Sequence, residues 1–300
     1  MHGFRQQDFD IWHIAARVVL SGQDPYATIR DPLGRRTFFY PLTTPLFFVP
    51  ATPLPTIVAG CAFVGLSCGL LAFALTRDAW WRLLVFLSGS LYVSVVSAQM
   101  SPLLTAAMLL PGLSWLGALK PNIAIAMLAY RPSWRTGLTM LLITALTIPV
   151  MPNWPLEWAA TAAASPYHFA AWQAPGGILL LAAITRWRRP EARLLAALAI
   201  VPTAPIVYEV LPLFVIPRDR REMMLLVILS DVAALVTMGY SSQLETAAFY
   251  ARARWSIVWF MFVPTLLMVL LRPNQGAVPD CIERRTQRLP RWLRGQPMTK

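Results

Sequence analysis

Charge is scarce in this chain, and scarce in a particular way. Only 13% of its 300 residues are Asp, Glu, Lys or Arg, whereas 57% are hydrophobic and the mean hydropathy is +0.54. An ordinary soluble domain carries about a quarter charged residues, so this composition excludes one and predicts an integral membrane protein. Lysine is almost missing. There are 26 basic residues against 14 acidic ones, net +12, and Lys stands only at positions 120 and 300. Arg-rich loops of this kind set membrane topology through the positive-inside bias, and no motif of a nucleic-acid reader accompanies them. Cysteine is equally sparse: Cys61 and Cys68 share one face of an apolar stretch and Cys281 sits in a polar tail, which gives no disulfide framework and no metal spacing. A phosphate-cradling glycine loop and a Ser/His/Asp arrangement are also absent. The chain opens on the polar run Met1–Asp10 rather than on a basic and then apolar one, so no signal peptide is read.

What is there is organised around residues 8–41, a polar island ahead of an oily chain. Phe9, Trp12, Ala16 and Val19 fall at helical spacing with His13 and Arg17 on the other side, which predicts a helix over residues 9–20 lying on a surface. Gly22 stops it and Asp24-Pro25 turns the chain.

These residues carry a resemblance. The run Asp8-Phe9-Asp10-Ile11-Trp12, the Ala-Arg helix, the Gly22-Gln23-Asp24-Pro25-Tyr26 turn and the Tyr40-Pro41 entry into the next apolar segment resemble glycosyltransferase family 87. Ala98-Gln99, Ser101-Pro102-Leu103-Leu104 and Lys120-Pro121-Asn122 resemble its later Gly-Gln and Lys-Pro elements, with Ala98 where the family usually has Gly. The likeness covers roughly residues 8–130. It implies a polytopic membrane enzyme of the GT-C type that takes a sugar from a polyprenyl-phosphate donor and passes it to a lipid or glycan acceptor, with no tightly bound cofactor, no assigned metal ligands and the need for a divalent metal left open. It also implies a membrane helix ahead of the first island, to be sought upstream of Met1.

The expected fold is therefore all-α: a GT-C-like bundle over 1–272 with short broken helices, in which 1–40 is an extracytoplasmic loop, 41–272 the transmembrane part and 273–300 a basic, disordered tail. The expected segments are 42–52 (short), 55–75 with the chain split between Pro50 and Pro55, 80–97, a broken stretch at 99–130, then 136–151, 175–187, 222–240 and 255–271. Residues 194–217 fit either one long span or a hairpin turning near Tyr208-Glu209. The hairpin puts Arg218, Arg220 and Arg221 on the same side as Arg77, Arg131 and Arg188, as the positive-inside bias requires. The first island, a Trp-rich island at 153–174, Tyr208-Glu209 and an amphipathic loop at 241–254 then share the outer face of a cell membrane, read as a bacterial inner membrane.

Sugar transfer needs a base for the acceptor hydroxyl and positive charge or donors for the departing phosphate. The resemblance assigns the base to Asp8, with Asp10 two residues off register; Asp8 equally suits a helix N-cap. Lys120, the one internal lysine, is set to pair with the donor phosphate or to snorkel to the interface. Arg30, Arg35 and Arg36 are a second phosphate source or simply solvated. Tyr26, Tyr40, Gln99, His168 and Glu209 are candidate substrate contacts, against the plainer readings of a surface histidine and a turn-capping Glu209. Trp154, Trp158 and Trp172 fit interfacial anchors better than sugar platforms. Besides the donor, acceptor and membrane lipids, no partner is expected. The rival readings are a transporter or lipid-handling protein built on the same broken helices, and an inactive truncated homologue.

Overall fold

The computed structural model describes residues 7–29, 37–164, 168–238, 246–276, 278 and 283–284. Its regular structure is helical. Among the described residues no strand forms, and one isolated antiparallel bridge pairs Phe169 with Thr203. The chain divides into two compact units, Met1–Arg77 with Val93–Ala124 and Trp134–Pro166, and Asp78–Tyr92 with Ile125–Ser133 and Tyr167–Lys300.

In the first unit, α1 (Gln7–Leu20) ends as its glycine predicts: Gly22 sits at φ +73°, its N–H donates to Val19 O at 3.0 Å, and Gln23 N–H reaches back to Val18 O at 3.1 Å. This is the Schellman pattern, which satisfies two carbonyls that the helix end leaves open. Asp24 then caps α2 (Pro25–Thr28), its Oδ1 accepting Tyr26 N–H at 2.7 Å. Next come α3 (Thr43–Phe48), a 3-10 turn at Val49–Ala51, and α4 (Thr56–Thr76), which starts directly after an extended Pro55. The chain thus divides where Pro50 to Pro55 forbid a continuous helix.

Helix α1 packs against α3 and α4 through aromatic rings: Trp12 stacks on Phe48 with centroids 5.4 Å apart, and Phe9 meets Phe63 at 5.7 Å. His13 was placed by its spacing on the outer side, and the structure corrects this. It is buried, its Nδ1 accepting from the Thr56 hydroxyl at 3.0 Å and its Nε2 donating to Ala51 O at 3.2 Å. The reason is that α1 meets two helices at once, so its buried stripe is wider than a surface-lying helix needs. Arg17 does stay outside, donating to Thr52 O at 3.1 Å.

Residues 89–163 form α5 (Gly89–Val96), α6 (Ser101–Leu109), a 3-10 helix at Pro111–Leu119, α7 (Pro121–Tyr130), α8 (Trp134–Ala145) and α9 (Trp154–Ala163). Within the first unit α6 lies on α4, and α9 on α2. Trp154 therefore has no surface to offer a membrane interface, whereas Trp158 is half-buried. The Trp158 indole donates to Phe39 O at 3.0 Å.

The second unit holds a 3-10 helix at Gly177–Arg186, α10 (Pro190–Ile200), α11 (Arg220–Met238), α12 (Thr246–Ile257) and α13 (Val263–Leu270). Where one span was expected over 80–97, a 3-10 helix occupies Trp80–Leu87, Ser88 is extended, and α5 begins afresh. A tertiary partner makes this break. Asp231 on α11 accepts Gly89 N–H at 2.5 Å, Ser230 accepts Ser90 N–H at 2.8 Å, and a Cβ on residue 89 would fall 2.7 Å from that of Ala234, which only glycine avoids. Residues 194–217 also divide in two, but earlier than Tyr208-Glu209. Helix α10 ends at Ile200, residues 201–206 are non-helical where Thr203 pairs with Phe169, and Val207–Val215 rewinds with Glu209 inside it.

Helix α12 runs into α13 through a π turn at Val258–Phe262, closed by Val263 N–H bonding Val258 O. Pro264 follows at once. It has no N–H to give and its ring would press on the carbonyl four residues back, and a wider turn relieves that pressure. Residues 241–245 of the expected outer loop lie outside the described residues, and from Thr246 the chain is helical. The tail is not loose at its start: Asn274 Oδ1 accepts Arg188 N–H at 3.0 Å and Glu283 pairs with the Arg188 guanidinium at 2.7 Å. Cys281 and residues 285–300 lie outside the described residues. Among the described residues two helices, Thr56–Thr76 and Phe249–Leu270, are long and apolar enough to cross a bilayer.

Candidate functional site

The first unit gathers four of the residues singled out by sequence. Asp8 lies inside the first turn of α1 rather than at its cap, a position where negative charge is favoured by the helix dipole. Its carboxylate accepts a hydrogen bond from the side-chain amide of Gln99. One turn further along α1, Trp12 meets the ring of Tyr40 edge-on at 5.3 Å, and the ammonium of Lys120 stands over the same ring, 6.0 Å from its centroid. Asp10, two positions on, is directed about 200° around the helix from Asp8.

Gln99 owes its aim to the residue before it. Ala98 adopts φ +48°, the one non-glycine residue among those described with positive φ, and it is fully buried. Around it the end of α5 closes with the Schellman bonds seen at Gly22: Ala98 N–H to Val95 O at 3.1 Å and Gln99 N–H to Ser94 O at 2.8 Å. The left-handed turn swings the chain so that Gln99, 1% exposed, enters the interior beside α1. For an L-residue with a Cβ that conformation costs about 1–2 kcal/mol.

Lys120 is 7% exposed and ends the 3-10 helix of Pro111–Leu119. Its carbonyl accepts the Ile123 and Ala124 N–H groups, each at 3.0 Å, so it caps the start of α7 with Pro121 in the first helical position. The preceding carbonyls are clamped from α3, the Thr43 hydroxyl donating to Ala118 O and the Thr44 hydroxyl to Leu119 O, both at 2.7 Å. A buried cation at the positive end of a helix opposes the dipole. The Tyr40 ring face offsets part of this by cation–π attraction, and an anion at the same place would gain from the lysine and the helix end together.

Tyr26 supports the group from below: it is buried and its hydroxyl donates to Tyr40 O at 2.9 Å. Burial, then the carboxylates of Asp24 and Glu157, push its pKa well above the ordinary phenol value, so it stays a neutral donor. Arg30, Arg35 and Arg36 lie outside the described residues. His168, half-buried, and Glu209, 4% exposed, belong to the second unit.

Among the described residues, Gln99 Oε1, Ser101 Oγ and Trp12 Nε1 are buried and have no hydrogen-bond partner; of the three residues only Ser101 was not singled out by the sequence. Ser101 stands two residues after Gln99, and its neighbourhood to that motif was the only signal that could have named it. Two acceptor-capable atoms and one donor, all buried and unspent, suit a hydroxyl-rich ligand or ordered water. Among the described residues no group of three His, Cys, Asp or Glu side chains gathers to hold a metal. Comparison of the chain with protein-family models, with curated proteins and with solved structures finds no match.

Proposed function

We propose that the protein is a polytopic membrane glycosyltransferase that moves a sugar from a polyprenyl-phosphate donor to a lipid or glycan acceptor at the outer face of the membrane. The observation that carries the reading is the bond between Asp8 and Gln99, which join from residues 91 positions apart. A carboxylate in an apolar chain is costly to bury, and one held by a buried amide has a fixed direction, which a general base needs. The resemblance of the sequence around Asp8, Gln99 and Lys120 to glycosyltransferase family 87 supports the same roles. So do the two helices of membrane-spanning length, with Ile57, Leu66 and Phe73 of α4 exposed to whatever surrounds them.

In this reading Asp8 takes the proton of the acceptor hydroxyl as its oxygen attacks the anomeric carbon, and the bond to the donor phosphate breaks. Lys120 sits where the leaving phosphate gathers charge. Gln99 holds Asp8, and the Oε1 of Gln99 with Ser101 Oγ meets sugar hydroxyls. The test is Asp8→Asn beside Asp10→Asn, each assayed in membranes for transfer from a short polyprenyl-phosphate sugar. Loss of a base costs about 10²–10⁴-fold in rate, so Asp8→Asn is to fall by that much while Asp10→Asn stays within a few-fold of the parent. Full activity in Asp8→Asn would remove it as the base. A parent that binds the donor lipid and never cleaves it would favour a lipid-handling protein instead.

A further inference from the structure

One end of the second unit gathers more arginine than its acids can answer. The helix of membrane-spanning length, Phe249–Leu270, stops there, and Arg186 ties off its open carbonyls, donating to Leu270 O at 3.1 Å and to Arg272 O at 2.8 Å. From Arg272 the contacts spread sideways. Its guanidinium pairs with Glu222 and donates to Ile216 O at 2.9 Å, which brings in the turn before α11. Arg82 donates to Val215 O of the same turn at 3.4 Å and so brings in the start of the 3-10 helix at Trp80–Leu87. Arg188 holds the segment after α13 through Asn274 and Glu283.

The acids that meet here are already engaged. Asp78 pairs with Arg82, Glu222 with Arg272 and Glu283 with Arg188. Asp219 spends its Oδ1 on the Arg221 and Glu222 N–H groups at the start of α11, and Glu191 lies 4.0 Å from Arg218 and in the field of Arg189. The cations are left in excess, and they repel one another: burial, then the charge of Arg218, lowers the pKa of Arg189, Arg272 and Arg186 adding to this against Glu191. Outermost stand Arg220, Arg221 and Arg284, all exposed and, among the described residues, without a carboxylate partner. Arg220 and Arg221 also occupy the first turn of α11, where the helix dipole disfavours positive charge. An anionic layer outside them would relieve both strains. Position selects among anionic partners: the face adjoins the end of a helix long enough to cross a bilayer, and Trp80, 77% exposed two residues before Arg82, is the residue type that settles among lipid head groups.

We propose that this face docks on the surface of a bilayer leaflet rich in anionic phospholipid, with Arg220, Arg221 and Arg284 meeting the head-group phosphates. It shares with the proposed transfer reaction only the membrane, not the chemistry. The test uses the purified full chain in phosphatidylcholine bilayers doped with spin-labelled phosphatidylglycerol or spin-labelled phosphatidylcholine, and reads by electron spin resonance the preference of the immobilised lipid shell for the first over the second. At low salt that preference is to be about three-fold or more. At about 1 M salt, where the Debye length shrinks to about 3 Å, it is to fall toward one. The triple variant Arg220→Gln, Arg221→Gln and Arg284→Gln is to lose about half or more of the preference at low salt, whereas Arg17→Gln in the first unit keeps it. A ratio of one in the parent would overturn the proposal and leave the face to a soluble acidic partner. A preference that survives high salt, or that the triple variant retains, would overturn it as well, since the selection would then arise elsewhere on the chain. Should the triple variant not fold, Arg220→Gln combined with Arg284→Gln decides in its place.

Discussion

Helix α1 and helix α5 end in the same pattern of bonds, and at different cost. At Gly22 the left-handed residue has no Cβ, so the Schellman closure is free of strain, and nothing lies within 4 Å of where a Cβ would stand. At Ala98 the same closure is forced on a residue with a Cβ, buried in the first unit, immediately before the side chain that grips Asp8. The difference teaches that the first end is a turn and the second a device: strain persists where the surroundings over-determine it, and here it sits next to the proposed base.

The largest effect should come from making the strained end worse. Ala98→Val adds branching in a left-handed, buried position, and a loss of about 3 kcal/mol or more is expected from backbone strain plus overpacking, read as a lowered unfolding midpoint in mild detergent. Next, Gln99→Leu keeps the size and the turn but removes the amide donor. A cost of about 1–3 kcal/mol and a slower transfer rate are expected; unaltered transfer would reduce Gln99 to a packing residue. The two turn swaps come third and have opposite signs. Gly22→Ala should lose about 1 kcal/mol and Ala98→Gly should gain up to about 1 kcal/mol, the relief of strain being partly offset by the freer unfolded chain. If Ala98→Gly stabilises but slows transfer, the strain itself positions Gln99.

The smallest effect is a slope with pH beyond the first end, at Tyr26. Its folded pKa lies above the ordinary value, so above about pH 10 the unfolded chain releases a proton that the folded chain keeps. Stability from this group is whole below pH 10 and drains away as pH rises toward the folded value. Tyr26→Phe should lose about 1 kcal/mol at neutral pH, through its bond to Tyr40, and fall less steeply than the parent in alkali.

What could be read along the chain was what neighbouring residues decide. The extent of α1, its stop at Gly22, the cap at Asp24, the division at Pro50 to Pro55 and the start of α4 all follow from local spacing, turn chemistry and proline. What could not be read needed a partner far away in sequence. His13 is buried because Ala51 and Thr56 receive it, α5 begins at Gly89 because Asp231 caps it, and Trp158 turns inward because Phe39 offers a carbonyl. For the candidate site, the residue types at Asp8, Gln99 and Lys120 were visible, whereas the bond between the first two and the Tyr40 ring beneath the third were not. Ser101 was quoted only as part of a motif, because a lone serine at a helix start carries no pattern of its own.

The π turn at Val258–Phe262 has a consequence for how this chain can change by insertion and deletion. Removing one residue elsewhere in the continuous helix from Thr246 to Leu270 would rotate everything beyond it by about 100° and turn its packed face away. Removing one inside the π turn would restore ordinary winding and keep both flanks in phase. That shorter helix would then carry Pro264 in a regular interior, with a kink as the result. The extra residue and the proline are thus linked as a pair: a lineage can shed the first without harm only after it has replaced the second.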